Sequence, residues 1–224
     1  MSDNGRYYAQ YGEDYAILRF FENMRGGYYV DVGAYDGLLQ SNTAKLHLDY
    51  DWQGVCIEPN PSTFVELVNN RPGVLCLPFA CVEDPRIARV TLHVPNIPLL
   101  STLSLAREHE IARIHRDTRT PYAIRETVSV PAATLDALLP LAGLPCIDLL
   151  SIDTDWCNAN TLRGCDLTRW SPRLVVIEAN GPEEKEPIAA YMSAHEYTYA
   201  GISTNNMFWV RDAADVERVT GIHE

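Results

Sequence analysis

The amino-acid sequence predicts an α/β domain built on a doubly wound, mostly parallel sheet. Short apolar runs bounded by turn residues alternate with stretches of helical spacing such as 63–68. The runs are nearly continuous, and this is typical of strands that helices cover on both faces. The expected strands are 28–32, 54–57, 74–77, 147–152 and 174–177. Two later runs, 197–202 and 207–210, are joined by Ser203-Thr204-Asn205-Asn206 and predict a closing antiparallel hairpin.

The chain of 224 residues suits one domain of this class, residues 1–224, because no Pro/Gly/Ser-rich linker divides it. Residues 1–26 are expected to form a helical cap, with a helix that begins near Glu13 and Asp14. Segments 89–94 and 126–130 read as strands on either side of a polar stretch. We therefore expect residues 95–125 to be a variable insertion near the substrate.

The net charge of −12 disfavours nucleic acid and anionic membrane as partners, because both attract Lys and Arg. No apolar run reaches transmembrane length and no signal segment opens the chain, so we expect a cytoplasmic protein. The six cysteines form no C-x-x-C pair, and they are expected to be small apolar side chains rather than zinc ligands. Homo-oligomer formation is left open.

The first strand ends in YVDVGAYDG, residues 29–37, which places two acids and two glycines at the carboxyl edge of the sheet. Ligands of doubly wound sheets bind at this edge, and Gly33 and Gly37 allow close backbone approach. A pyrophosphate needs a three-glycine loop and would be repelled by Asp36. A cofactor with an amine and a sulfonium would accept Asp31 and Asp36, so the stretch indicates S-adenosylmethionine. The alternative is a tight turn with exposed acids.

The second strand ends at Glu58, followed by two prolines that stop the strand and begin a helix. An acid at this position can accept hydrogen bonds from both ribose hydroxyls. Nicotinamide-dependent dehydrogenases use the same arrangement, so Glu58 by itself indicates only an adenosine. A solvated strand-end glutamate is the simpler alternative.

Together these segments resemble the FkbM-type methyltransferases, S-adenosylmethionine-dependent enzymes known for O-methylation of sugars and natural products. The resemblance implies a class I, Rossmann-like methyltransferase fold, with seven strands and a reversed final hairpin. It runs almost from end to end of the chain. The segments that carry it are 10–14 (QYGED), 30–37 (VDVGAYDG), 41–43 (SNT), 54–61 (GVCIEPNP), 130–136 (VPAATLD) and 147–154 (IDLLSIDT).

The resemblance also implies a set of residues that bind the methionine part of the cofactor. Asp31, Gly33 and Asp36 would line it, and Ser41 and Asn42 would meet its carboxylate at the start of a helix. Serine and asparagine also favour helix N-termini, where free N–H groups attract anions.

At the nucleoside end, the same resemblance implies that Glu58 holds the ribose. The adenine would lie against Ala80 or its neighbour Phe79. Both follow the third expected strand.

The strand 147–152 leads to Asp153, and the next strand leads to Glu178 and Asn180. We predict that Asp153 contacts the cofactor and that Asp153 and Asp155 are catalytic, because a carboxylate can remove the proton of an acceptor hydroxyl. A Mg²⁺ ion held by Asp153, Glu178 and Asn180 is left open as a second cofactor. In the simpler alternative, these side chains only bond loops or substrate.

The sequence departs from the family after Asp153, where relatives continue with Glu-Gly and then a second acid. Here Asp155 is a shorter acid, Trp156 replaces the glycine, and Asn158 replaces the second acid. A cofactor-binding protein with altered or lost catalysis is therefore one alternative function. Of the histidines, only those of the insertion, His109 and His115, are considered as contributors to the site.

The sequence thus predicts an S-adenosylmethionine-dependent methyltransferase that modifies an oxygen of a small hydroxylated acceptor, such as a sugar or secondary metabolite. Methylation of nitrogen, cofactor binding without turnover, and a nicotinamide-dependent dehydrogenase are the alternatives. The acceptor itself is not determined by these residues.

Overall fold

The computed structural model describes residues 5–97, 101–103, 119 and 121–220. The strands of this part are β1 (Tyr28–Val32), β2 (Gln53–Ile57), β3 (Leu75–Leu77), β4 (Ala80–Cys81), β5 (Arg89–Pro95), β6 (Ile124–Ala133), β7 (Leu149–Ile152), β8 (Leu174–Glu178), β9 (Thr198–Ser203) and β10 (Asn206–Val210). The helices are α1 (Glu13–Phe20), α2 (Ala44–Tyr50), α3 (Pro61–Asn70), α4 (Leu135–Ala142), α5 (Asn158–Arg163), α6 (Leu167–Trp170), α7 (Pro182–Ala194) and α8 (Val216–Thr220), with a 3₁₀ turn at Ala213–Asp215.

Seven strands form the central sheet in the order β3-β2-β1-β7-β8-β10-β9. The strands β3, β2, β1, β7 and β8 are parallel, whereas β10 runs antiparallel to both of its neighbours. The predicted fold class is therefore confirmed, including the closing hairpin. The strand order reverses at β1, between β2 and β7, and the carboxyl ends of strands at such a point form a crevice.

Alternating side chains of the central strands pack into two separate cores, one on each face of the sheet. Along β1, Val30 and Val32 belong to one core and Tyr29 to the other. The same alternation holds in β7, where Leu150 and Ile152 lie on the face of Val30. Because both faces are buried, the strands read as continuous apolar runs in the sequence.

Local sequence signals account for the main helix boundaries. Helix α1 begins at Glu13, as predicted, and its apolar side chains lie in the core on the Tyr29 face of the sheet. The side chain of Asn60 accepts a hydrogen bond from the N–H of Ser62, and Pro61 occupies the first turn of α3. None of the described helices combines the length and the apolar character that crossing a membrane requires.

A smaller sheet in the order β4-β6-β5 lies beside the central one. Its antiparallel pair β5 and β6 contains the two segments, 89–94 and 126–130, that the sequence predicted as strands. Part of the insertion at 95–125 lies between them, and residues 98–100, 104–118 and 120 lie outside the described residues. Thr102 exchanges two backbone hydrogen bonds with His93, so residues 101–103 return to the end of β5.

Candidate active site

A cavity of about 280 Å³ opens at the carboxyl edge of the central sheet, where β1, β2, β7 and β8 end. Seven of the eight residues predicted to bind a cofactor lie together on its wall. They are Asp31, Gly33, Ser41, Asn42, Glu58, Ala80 and Asp153. The sheet topology is what brings these residues, more than a hundred positions apart at the extremes, to one edge.

The turn after β1 requires glycine at position 33. Gly33 has a φ of 81°, and a β-carbon on it would lie 1.6 Å from the carbonyl oxygen of Asp153. Its N–H and that of Ala34 both donate to the carbonyl oxygen of Ile57, at 2.9 and 3.1 Å. The backbones that follow β1 and β7 are therefore in direct contact at the cavity floor.

The two acids of this turn have different positions. Asp31 is 5% exposed and lies on the cavity wall, where its Oδ2 accepts a hydrogen bond of 2.5 Å from the hydroxyl of Thr43. Burial raises the pKa of Asp31. Asp36 does not line the cavity. Its Oδ1 instead accepts the N–H groups of Leu38 and Leu39 at 2.8 and 2.7 Å, so it stabilises the turn from outside.

Ser41 and Asn42 line the cavity next to the start of α2. The hydroxyl of Ser41 accepts the N–H of Ala44 at 3.1 Å. The side-chain amide of Asn42 donates to the hydroxyl of Ser151 in β7 at 3.1 Å. Both predicted residues are thus fixed by neighbouring elements and face the same space as Gly33.

Glu58 is 6% exposed and closes the second strand. Its Oε2 accepts the N–H of Tyr35 at 2.9 Å and its Oε1 accepts the N–H of Asn60 at 2.8 Å. Burial raises the pKa of Glu58 to about 7, although these two hydrogen bonds oppose the effect. Each carboxylate oxygen has a further lone pair for a hydroxyl donor. Phe79 and Ala80 complete this end of the wall.

Three carboxyl groups gather at the opposite end of the cavity. Oxygen atoms of Asp153, Asp155 and Glu178 all lie within 4.8 Å of one another. The side chain of Asp153 is exposed at the cavity, and the surrounding protein raises its pKa to about 6, with repulsion from Asp31 and Glu13 adding to this. The pKa of Glu178 is raised well above its ordinary value by burial and by repulsion from Asp153 and Asp155. Burial disfavours the charged form of both carboxyl groups, and their repulsion disfavours ionisation of the two at the same time.

Asn180 is not part of this cluster. Its side-chain oxygen accepts a hydrogen bond of 3.1 Å from Asn205, and Asn180 does not line the cavity. The group that could hold a metal ion is Asp153, Asp155 and Glu178, so Asp155 replaces Asn180 in the predicted set of metal ligands. The same Asn205 donates to Oε1 of Glu178 at 2.7 Å and lines the cavity, so the terminal hairpin reaches the site.

The loop after Asp153 is held by Asn158. The side-chain oxygen of this buried residue accepts the N–H of Thr154 at 2.7 Å and its hydroxyl at 3.0 Å. Trp156 has a φ of 65° and does not line the cavity. A left-handed conformation costs a residue with a β-carbon about 1–2 kcal/mol, so Trp156 is strained where a glycine would not be.

The N-terminal segment contributes to the site through residues that had no predicted role. Gln10 and Tyr11 line the cavity. Glu13 Oε2 accepts the N–H of Tyr11 at 2.9 Å, and Asp14 accepts the N–H groups of residues 8 and 9 at 2.6 and 3.2 Å. The acids of the QYGED segment therefore fold the preceding chain over the cavity. The segment is part of the resemblance to the family, but its spacing does not indicate this contact.

Residues of the insertion also border the cavity. Ile97 and Ser101-Thr102-Leu103 are on its wall, and the hydroxyl of Thr102 donates to the carbonyl of Asp155 at 2.7 Å. The histidines at 47, 93 and 195 do not line the cavity, whereas His109 and His115 lie outside the described residues.

Comparison with known families agrees with this geometry. Residues 31–199 match the model of the methyltransferase FkbM domain. The chain belongs to the FkbM methyltransferase family. The matched region contains the glycine turn, Glu58 and the acid cluster, and so includes both ends of the cavity.

The solved structures to which this FkbM family member is similar are distant from it in sequence. The methyltransferase FkbM from Methylobacillus flagellatus KT is 13% identical with a TM-score of 0.50, over 88% of this chain and 53% of that one. This chain therefore spans about half the length of that protein. A precorrin-6y C5,15-methyltransferase from Geobacter metallireducens GS-15 is 10% identical with a TM-score of 0.44, over 94% of both chains. No curated protein matches the chain.

Proposed function

We propose that this protein transfers a methyl group from S-adenosylmethionine to a hydroxyl oxygen of a small hydroxylated acceptor, such as a sugar or secondary metabolite. Membership of the FkbM family supports the methyl donor. The observation that carries the oxygen-directed reaction is the group of carboxyl oxygens of Asp153, Asp155 and Glu178, which lie within 4.8 Å of one another on the cavity wall.

The cavity wall fits the proposed donor. The backbone of Gly33 lies on the cavity wall, and Ser41 and Asn42 offer polar groups on the same wall. Asp31 suits a ligand that carries positive charge on an amine and a sulfonium. At the other end, Glu58 has lone pairs free for ribose hydroxyls. Bound there, S-adenosylmethionine would supply an electrophilic methyl group.

The chain's own contribution to the reaction is orientation and proton removal. Asp153 accepts the proton of the acceptor hydroxyl, and a base whose pKa lies near the working pH is suited to this role. Glu178 Oε1 accepts from Asn205, and its buried Oε2 has no hydrogen-bond partner among the described residues. Because neighbouring carboxylates repel each other, a proton on this Oε2 would leave a single negative charge on the pair of Asp153 and Glu178.

The acceptor is proposed to bind between the acid cluster and the insertion 95–125. Ile97 and Thr102 support this placement, since they lie on the same cavity wall as Asp155.

Methyl transfer is tested by incubating the protein with S-adenosylmethionine and a panel of sugars and hydroxylated metabolites, each paired with its amine analogue. We expect release of S-adenosylhomocysteine and an added methyl group on the hydroxylated member of a pair. Methylation of the amines alone would contradict the oxygen-directed reaction. Calorimetric titration with S-adenosylhomocysteine and with NAD tests the donor separately, and a preference for NAD would overturn it.

A second candidate is a protein that binds the donor and has lost turnover. It is favoured by Asn158, which replaces an acid of the family and whose side-chain oxygen accepts two hydrogen bonds from Thr154 while its nitrogen donates to Glu184. Binding of S-adenosylhomocysteine with no transfer to any member of the panel would support this candidate over the first.

The turnover number is expected to fall as the pH drops through about 6. Asp153 acts only when ionised, and its raised pKa means that protonation begins nearer neutrality than for an ordinary aspartate. Below that pH, kcat should fall about tenfold per unit. The measurement is S-adenosylhomocysteine release between about pH 4.5 and 8 at saturating donor, so that protonation of Glu58 does not limit binding. A flat profile over this range would exclude Asp153 as the base.

Replacing Glu58 by alanine is expected to raise the Kd for S-adenosylhomocysteine about 10–100-fold. The change removes the proposed ribose acceptor and also frees the N–H groups of Tyr35 and Asn60. Calorimetry measures the change in Kd. The matched control is Glu66→Ala, at an exposed position of α3. Unchanged affinity in Glu58→Ala would place the nucleoside elsewhere.

A further inference from the structure

Arg71 is a buried cation directly behind the wall of the cavity. It follows α3 and is 1% exposed, and it does not itself line the cavity. A buried guanidinium is costly unless its N–H groups and its charge are matched by partners. The hydrogen-bond partners of Arg71 therefore indicate which segments of the protein it stabilises.

The guanidinium links two segments of the proposed donor site by hydrogen bonds. Its Nε donates to the carbonyl oxygen of Gly37 at 2.6 Å, and one terminal nitrogen donates to the hydroxyls of Ser41 at 2.7 Å and Thr43 at 2.8 Å. A β-carbon on Gly37 would lie 2.9 Å from Cγ of Arg71, so glycine is needed for this approach. The end of the glycine turn and the segment before α2 are thus held by one side chain.

The same guanidinium compensates the acid of the first strand. It lies 3.8 Å from Oδ2 of Asp31, and the hydroxyl of Thr43 donates to that oxygen while accepting from Arg71. Its other terminal nitrogen donates to the hydroxyl of Tyr29 at 3.1 Å. Arg71 opposes the rise in pKa that burial causes at Asp31. The carboxyl group of Asp31 thus has a fixed position on the cavity wall.

We propose that Arg71 is a positioning residue for the methyl donor. It acts through Asp31, Ser41 and the Gly37 carbonyl, and it sets the affinity for the methionine end of the donor rather than the rate of methyl transfer. This inference rests on the proposed function, because it assumes that the donor occupies this end of the cavity. The resemblance to the family assigned roles to Asp31 and Ser41 but none to Arg71.

The test is Arg71→Lys, which keeps the charge but loses the planar fork that reaches Gly37, Ser41 and Thr43 together. We expect the Kd for S-adenosylhomocysteine and the KM for S-adenosylmethionine to rise about tenfold or more, with kcat changed less than about threefold. Calorimetry is run well below the melting temperature, so that loss of stability alone does not change Kd. Arg25→Lys is the control, since Arg25 forms an exposed ion pair with Asp51.

A Kd within about twofold of that of the native protein would overturn the inference. Should Arg71→Lys not fold, Thr43→Val carries the same test, because it removes the hydroxyl between Arg71 and Asp31 at nearly constant volume. Here too a raised Kd supports the inference and an unchanged one overturns it. Failure of the native protein to bind S-adenosylhomocysteine would instead overturn the proposed function itself.

Discussion

Asp153→Asn is expected to lower kcat by about 10²–10⁴-fold while the Kd for S-adenosylhomocysteine stays nearly unchanged. The amide has the shape of the carboxylate but cannot take the proton of the acceptor hydroxyl. The backbone of Asp153, which contacts Gly33, is not altered by the change. Single-turnover methyl transfer and calorimetry on the same preparation separate the two quantities.

The matched control is Asp148→Asn at the other end of the same strand. Asp148 accepts the N–H of Tyr28 at 2.9 Å and pairs with Arg173, at the edge of the sheet opposite the cavity. We expect this change to reduce stability and to leave kcat unaltered. Equal losses of binding and turnover in Asp153→Asn would show that Asp153 is a scaffold residue instead of a base.

Gly33→Ala is expected to abolish donor binding and to destabilise the fold by about 3 kcal/mol or more. The new β-carbon would lie 1.6 Å from the carbonyl oxygen of Asp153, and a φ of 81° adds backbone strain. Either β1 and β7 separate at their ends or the turn changes its conformation. Both outcomes disrupt the floor of the cavity. Urea unfolding and calorimetry with S-adenosylhomocysteine measure the two effects.

Gly73→Ala separates strain from steric overlap. Gly73 has a φ of 84°, and a β-carbon on it would have no atom within 4 Å. The expected loss is about 1–2 kcal/mol from backbone strain alone, with donor affinity unchanged. If Gly33→Ala and Gly73→Ala unfold at the same urea concentration, the overlap with the Asp153 carbonyl adds no cost, and the backbones of β1 and β7 can move apart at this point.

Local sequence patterns were sufficient to predict the positions of most strands of the central sheet. Burial on both faces makes each parallel strand a short apolar run, so β1, β7 and β8 were located within a few residues. Helix α1 and the terminal hairpin were located by their N-terminal acids and by the turn at 203–206. The smaller sheet was only partly foreseen, because β4 has two residues and carries no periodic signal.

Residues of the candidate site that directly follow a strand could be predicted from the sequence. Gly33, Glu58 and Asp153 directly follow strands whose order the fold class determines, so their meeting at one edge follows from topology. Two polar side chains further along these loops, Asp36 and Asn180, do not line the cavity. Asp36 turns back to its own backbone, and Asn180 bonds Asn205, although both looked equally well placed in the sequence.

The sequence by itself determined the sheet, the glycine turn and the acids that end the strands, because these depend on periodicity and on residues adjacent in the chain. Only the tertiary structure decided that Asp155 joins Asp153 and Glu178, and that Arg71 contacts Ser41 and Asp31. Arg71 lies 30 positions from Ser41 in the chain. Such contacts depend on how whole helices and loops pack. In the sequence alone, a charged residue at the end of a helix, such as Arg71, is expected to be exposed to solvent.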